Sequence, residues 1–251
     1  MWPDRPAVFV VPKSLTVYSL IACSILLGLA AAGESDPALT PATDERELSS
    51  TEAERVLGLV AENFKAHPHV RAHMRTEIDD LLGQRIEEGE LCLSRPDHIR
   101  RTFNQPALKV WLLNGPQLQE YSARSKMVRT KDFSKMPDAL ALLQAALTLD
   151  LKVLAAHFAI HMFENTGQTG HLRLVLTKKP GGSRWLAYKR IQVRLALDSP
   201  LYSEIEYVPE NGDRTLERYT GIQTLPAMNE QDFVLDLPAG VERKVDVLEP
   251  Q

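Results

Sequence analysis

The run His69-Val70-Arg71-Ala72-His73-Met74-Arg75-Thr76-Glu77-Ile78-Asp79 alternates without a break. Val70, Ala72, Met74, Thr76 and Ile78 fall on one side, and Arg71, His73, Arg75, Glu77 and Asp79 on the other. Successive side chains of a strand point to opposite faces, so the run predicts a β-strand with one dry and one wet face, the pattern of an antiparallel sheet packed on one side. Shorter alternating runs follow at Ile86 to Ser94, His98 to Phe103, Leu108 to Leu113, Gln117 to Tyr121 and Lys126 to Thr130. Their connections are too short for parallel crossovers, and Asn114-Gly115, with positive φ available at both positions, marks a tight hairpin. The region reads as an antiparallel meander.

Upstream, Thr51-x-x-Glu54 reads as a capping box, and Ala53, Val56, Leu57, Val60 and Phe64 recur at helical spacing. A helix is therefore expected from about Thr51 to Ala66. Downstream, Lys135 to His161 interrupts the strands: Pro137 opens an amphipathic helix carrying Leu140, Leu143, Ala146 and Leu147, and Leu151, Val153, Leu154 and Phe158 give a second, short one. Alternation resumes at Leu172, Leu174 and Leu176, then at Ile191 to Leu197, Tyr202 to Val208 and Thr215 to Ile222, and closes with Phe233, Leu235 and Leu237. The fold class is mainly β within α+β, with about eleven short strands, one helix before them and a helical insert between them. No repeat of 20–50 residues is evident, which disfavours a propeller or solenoid.

The first 32 residues read as an export signal. Arg5 and Lys13 precede an uncharged stretch from Ser14 to Gly33, and small residues at Ala30 and Ala32 suit a signal peptidase cutting after Ala32. Two alternatives stay open: an uncleaved anchor through residues 14–33, since about 20 apolar residues can span a bilayer, and acylation at Cys23 in Leu20-Ile21-Ala22-Cys23. Residues 33–50 are small, polar and broken by Pro37 and Pro41, and read as a disordered linker. Residues 51–251 form the folded domain.

Cleavage after Ala32 leaves 27 basic and 32 acidic residues. That mild acidity argues against a nucleic-acid partner, which calls for a basic patch. Cys92 is then the sole cysteine, so no internal disulfide can form.

Catalytic patterns are wanting. His67, His69 and His73 straddle Pro68 and a strand start, and could meet at a metal only if the loop folded back. His157 and His161 stand four apart, but Phe158 sits where a zinc protease of the H-E-x-x-H type needs its glutamate. Glu87 and Glu88 are strand neighbours that point apart. There is no G-x-S-x-G elbow, and Gly181-Gly182 opens no phosphate-binding helix. The expectation is a protein with no catalytic residues, no metal and no cofactor.

One stretch carries a family resemblance. Glu88-Gly89-x-Leu91-x-Leu93-x-Arg95-Pro96, then Ile99, Phe103, Gln105-Pro106 and Leu112-Leu113-Asn114-Gly115 to Tyr121, resembles the signature of LolA-type lipoprotein carriers, and Phe233-x-Leu235-x-Leu237-Pro238-x-Gly240-Val241 resembles that family's ending. The likeness spans roughly residues 51–245, in order. It implies a half-open, strongly curved antiparallel barrel whose concave apolar face is closed by helices. It also implies a periplasmic monomer that takes lipoprotein acyl chains from an inner-membrane donor complex to an outer-membrane acceptor, with a LolB-like anchored acceptor or an RseB-like sensor as the alternative. Cargo would lie against Leu91, Leu93, Ile99, Phe103, Val110 and Leu112 of the sheet and Leu140, Leu143, Leu147, Leu154 and Phe158 of the insert, which acts as a lid. By similarity, Arg95 bonds that lid and controls its closing. Two features depart from the family pattern: Arg100-Arg101 occupies a strand where carriers place aromatics, and aromatic residues make up only 6% of the chain.

Overall fold

A computed structural model describes residues 39–148, 150–181, 188–210 and 212–246. The expected signal, residues 1–32, lies outside them. Among the described residues all the strands belong to one unclosed sheet of thirteen. In chain order they are β1 (Glu45–Glu47), β2 (His69–Asp80), β3 (Gly83–Ser94), β4 (His98–Gln105), β5 (Lys109–Asn114), β6 (Gln117–Ser122), β7 (Met127–Asp132), β8 (Phe158–Asn165), β9 (His171–Lys178), β10 (Tyr188–Ala196), β11 (Glu204–Pro209), β12 (Arg214–Thr224) and β13 (Glu242–Asp246). Across the sheet the order is β1-β8-β9-β10-β11-β12-β2-β3-β4-β5-β6-β7-β13. Every pairing is antiparallel except β13 on β7, which is parallel. The fold is thus mainly β, as the alternation indicates.

Among the described residues three α-helices lie on the concave side: α1 (Ser50–Ala66) before the long strands, and α2 (Pro137–Thr148) and α3 (Leu151–His157) between β7 and β8. Val56, Leu57, Val60 and Phe64 of α1 join Ala139, Leu142, Leu143 and Ala145 of α2 and the inward residues of the strands in one core. The cap of α1 lies two residues earlier than the sequence suggests. Ser49, not Thr51, is the N-cap, and its hydroxyl and backbone N–H meet the Glu52 carboxylate in a complete capping box. Both Ser49-x-x-Glu52 and Thr51-x-x-Glu54 satisfy the motif; Arg46, which bonds Glu52 at 2.9 Å, favours the first.

Three strands lie where the sequence analysis expects none, and one expected strand is replaced. β1 falls inside the stretch expected as a linker. Its Glu45 carboxylate receives the Arg173 guanidinium at 2.9 Å, and that guanidinium stacks 4.2 Å from the Phe163 ring, so a polar segment is fixed by a partner far along the chain. β8 carries buried residues on both faces at Met162 and Phe163, which hides its period of two. Near the C-terminus, Glu230–Phe233 is a 3-10 turn, not the start of a strand, and the last strand comes later as β13. The residues between them cross the outer face of the sheet, where Leu235, Leu237 and Val241 pack on Val110, Tyr121 and Val128.

Two glycines permit the path of the β3–β5 region. A Cβ on Gly89 would stand 1.9 Å from the Thr102 carbonyl oxygen, at a register shift between β3 and β4. In the β5–β6 hairpin the central pair is Gly115-Pro116, one residue beyond the expected Asn114-Gly115, and Gly115 takes φ of +56°.

Candidate ligand-binding cleft

Register fixes what each strand presents inward. On β3, Leu91 and Leu93 pair with Ala72 and Val70, the dry side of β2. On β4 the inward set is Ile99, Arg101 and Phe103, opposite Leu93, Leu91 and Gly89. On β5 it is Leu113, Trp111 and Lys109. Leu91, Leu93, Ile99, Arg101, Trp111, Leu113 and Leu118 form one wall of a cleft; Tyr219 of β12 and Tyr202 of the β10–β11 connection face it, and Leu143 of α2 closes it. The cleft holds about 530 Å³ of empty space including its open mouth, but its cavity proper measures only about 30 Å³. That is room for a water or two, not an acyl chain.

Of the eleven residues expected to meet cargo, Leu91, Leu93, Ile99 and Leu143 line the cleft. Phe103, Leu154 and Phe158 are in the core beside it, and Leu140 is partly buried against that core. Leu147 is on α2, with its side chain outside the described set. Val110 and Leu112 are a correction: they point to the opposite face, where the C-terminal segment covers Val110. Their neighbours Trp111 and Leu113 take the cleft positions. The sequence analysis does not assign Leu118, Arg101, Tyr202 or Tyr219 to the cleft, although it notes Arg101 as a departure from the family pattern. Counting by twos from Leu91 and Leu93 through the hairpins would have found Arg101, Trp111, Leu113 and Leu118.

Arg95 sits at the edge of this region. Its two terminal nitrogens donate to the carbonyl oxygens of His67 (2.8 Å) and Pro200 (2.9 Å), which ties the fork to the end of α1 and to the β10–β11 connection. Burial pushes its pKa down to about 10, so it is charged at neutral pH.

The cleft floor is polar. Arg101 and Glu217 form an ion pair with side chains only 7% and 1% exposed. The Tyr219 hydroxyl donates to the other Glu217 oxygen at 2.5 Å, and Met74 sulfur accepts from Arg101 at 3.0 and 3.2 Å. Phe103 and Trp111 flank the guanidinium, with centroids 5.5 and 5.3 Å from it. Burial opposes charge on Arg101, but the charge of Glu217 and the hydrogen bond to it raise the pKa overall. Burial pushes Tyr202 up to about 12, and burial together with the charge of Glu217 pushes Tyr207 and Tyr219 up strongly. All three are therefore protonated donors at neutral pH. A second inward pair, Lys109 with Glu87, lies 2.5 Å apart along the same wall. Burial pulls the lysine pKa down although Glu87 opposes it.

The remaining chemistry-bearing residues are dispersed. His67 shares a hydrogen with Asn63, His69 with Ser94 and His161 with Glu47. His157 ends α3, whereas His161 is on β8, so the two do not share a helix face. Among the described residues no three His, Cys, Asp or Glu gather as metal ligands. Glu87 faces inward to Lys109, and Glu88 faces outward to Arg75 at 2.8 Å. Cys92 is buried and reduced, opposite Arg71 on the outer face.

No family model and no curated protein matches this sequence. Solved structures do match. A LolA superfamily protein from Nitrosomonas europaea shares 10% identity at a TM-score of 0.40, over 73% of this chain and 97% of that one. An uncharacterized conserved protein from Thermus thermophilus shares 10% identity at a TM-score of 0.48, over 78% and 99%. MucB, in the Pseudomonas aeruginosa MucA/MucB complex, shares 14% at 0.44, and this chain spans 61% of its length.

Proposed function

We propose that the protein binds acyl chains between the concave sheet and the helical insert, and that it acts as an exported carrier which passes lipoprotein chains from an inner-membrane donor to an outer-membrane acceptor. The observation that carries this reading is Leu143: a residue of a helix inserted between two strands closes an apolar cleft in an unclosed sheet. A cleft whose cavity holds only a water or two takes a chain only if α2 moves. Each methylene buried contributes about 0.8 kcal/mol, so a long chain offsets the loss of the lid's own contacts. The reading assigns the protein no catalysis. It rests on the apolar row Leu93, Ile99, Leu113 and Leu118, on the broad burial of α2 and on the family resemblance of residues 88–121.

The test is uptake of an environment-sensitive apolar dye by the purified protein, followed by competition. A diacylated lipoprotein is expected to displace the dye, and its non-acylated form is not. Dye that neither lipoprotein nor detergent can compete away would overturn the proposal.

A further inference from the structure

We propose that the cleft has a polar inner end which receives the carbonyl head of an acyl chain, with Arg101 as the residue that binds it. This rests on the acyl-binding reading above and supplies what that reading leaves open, the end of the ligand that enters first.

The inward residues of β3, β4, β5 and β6 form cross-strand rows. The first, Leu93, Ile99, Leu113 and Leu118, is wholly apolar. The next, Leu91, Arg101, Trp111 and Glu120, turns polar at two positions, and the row after it, Gly89, Phe103, Lys109 and Ser122, again has two polar members. A ligand lying across the rows therefore meets hydrocarbon at one end and hydrogen-bonding groups at the other.

Those groups are short of acceptors. A guanidinium offers five N–H donors. Nε and Nη2 of Arg101 go to Met74 sulfur and Glu217, and Nη1 has no hydrogen-bond partner among the described residues. The buried hydroxyls of Tyr207 and Thr76 also have none. Thr76 is the cross-strand partner of Glu217, so these unused donors surround one carboxylate already bonded to Arg101 and Tyr219. Thioether sulfur is a weak acceptor, and buried polar groups without partners are rare in folded proteins. An sp² oxygen entering beside Arg101 would supply what the floor lacks. Charge does not choose between an acid and an ester, because Arg101 is balanced by Glu217 and Lys109 by Glu87. A free fatty acid and an acyl ester share the required carbonyl.

The experiment competes lauric acid, methyl laurate and dodecane against the bound dye on the full chain. All three have the same chain length, so apolar burial is matched. Acid and ester are expected to displace dye at concentrations about tenfold below dodecane, the effect of one hydrogen bond to a charged donor. Displacement by the acid alone or by the ester alone identifies the source of the head and still supports the proposal. The double substitution Arg101→Met with Glu217→Gln, which removes both charges together, is expected to bring the three ligands within about threefold of one another. Arg101→Lys, which keeps the charge but loses the fork, should also lose the preference and serves if the double variant does not fold. Dodecane competing as well as both the acid and the ester, or either folded variant keeping the preference, overturns the inference while acyl binding stands. Failure of all three ligands overturns both.

Discussion

The guanidinium of Arg95 lies 4.2 Å from the centroid of the Phe64 ring, so the residue that follows β3 is stacked on the last turn of α1. With its two carbonyl acceptors on either side, it clamps three parts of the chain: β3, the end of α1 and the β10–β11 connection. Arg95→Leu removes two charge-assisted bonds and leaves the carbonyls of His67 and Pro200 without their donor. The expected loss is about 2–3 kcal/mol in urea unfolding. Arg95→Lys should recover less than half of it, because a compact ammonium cannot bridge both oxygens. A variant as stable as the parent would show that the clamp is dispensable.

The two faces of β5 offer a matched pair. Leu112 and Leu113 are each 2% exposed, and only Leu113 lines the cleft. Truncating either to alanine should cost about 2–4 kcal/mol. Dye affinity should change in Leu113→Ala and stay near the parent value in Leu112→Ala, as measured by fluorescence titration. Equal effects on binding would place the ligand elsewhere.

Gly89→Ala is expected to be among the most damaging small changes, with a loss above about 3 kcal/mol, because the new Cβ meets a backbone oxygen that cannot rotate away. Gly58→Ala is its counterpart. Gly58 is exposed in α1 with nothing within 4 Å of the added carbon, so the change should stabilise by about 0.5–1 kcal/mol. Thermal melts of the two variants are expected to move in opposite directions.

Acid should loosen the start of α1. Hydrogen bonds from the Ser49 side chain and backbone, then from Arg46, hold Glu52 at a pKa of about 2. A carboxylate with a depressed folded pKa contributes stability that is complete above its unfolded value near 4.5 and is lost as pH falls towards 2. Glu45, lowered by its bond to Arg173 despite burial, adds in the same direction. Glu52→Gln is therefore expected to be less stable than the parent at pH 7, with the difference shrinking as pH falls below about 4.5 and closing only near pH 2. Urea midpoints that stay separated by a constant amount from pH 7 to pH 2 would contradict this.

What the sequence disclosed depended on whether a strand has a wet face. β2 alternates, its partners follow at short intervals, and Pro137 announces the insert, so the sheet and its helices were legible. Val110, Trp111, Leu112 and Leu113 are all buried, because the C-terminal segment covers the outer side of β5 while the core covers the inner. Four apolar residues in a row carry no parity, and the wrong pair was assigned to the cleft. Arg101 was noticed as an oddity among expected aromatics, but nothing local shows that Glu217 waits for it. β1 and the Arg95 clamp were hidden for the same reason, since each depends on partners a hundred or more residues away.

The antiparallel pairing of β2 with β12 sets Asp79 beside Arg214 and joins the two halves of the sheet in its middle. Hairpins from β2 to β7 can form as each strand is made, and so can those from β8 to β12, yet neither half gains its neighbour until the chain has looped back over well over a hundred residues. Closing so long a loop is entropically costly, and sheets built on distant pairings mature over milliseconds to seconds rather than microseconds. Until that seam zips, the apolar sides of both halves stand open together. Time, as much as contact, is therefore written into the strand order: this chain stays unfinished, and available to whatever handles unfinished chains, until nearly its last strand has arrived.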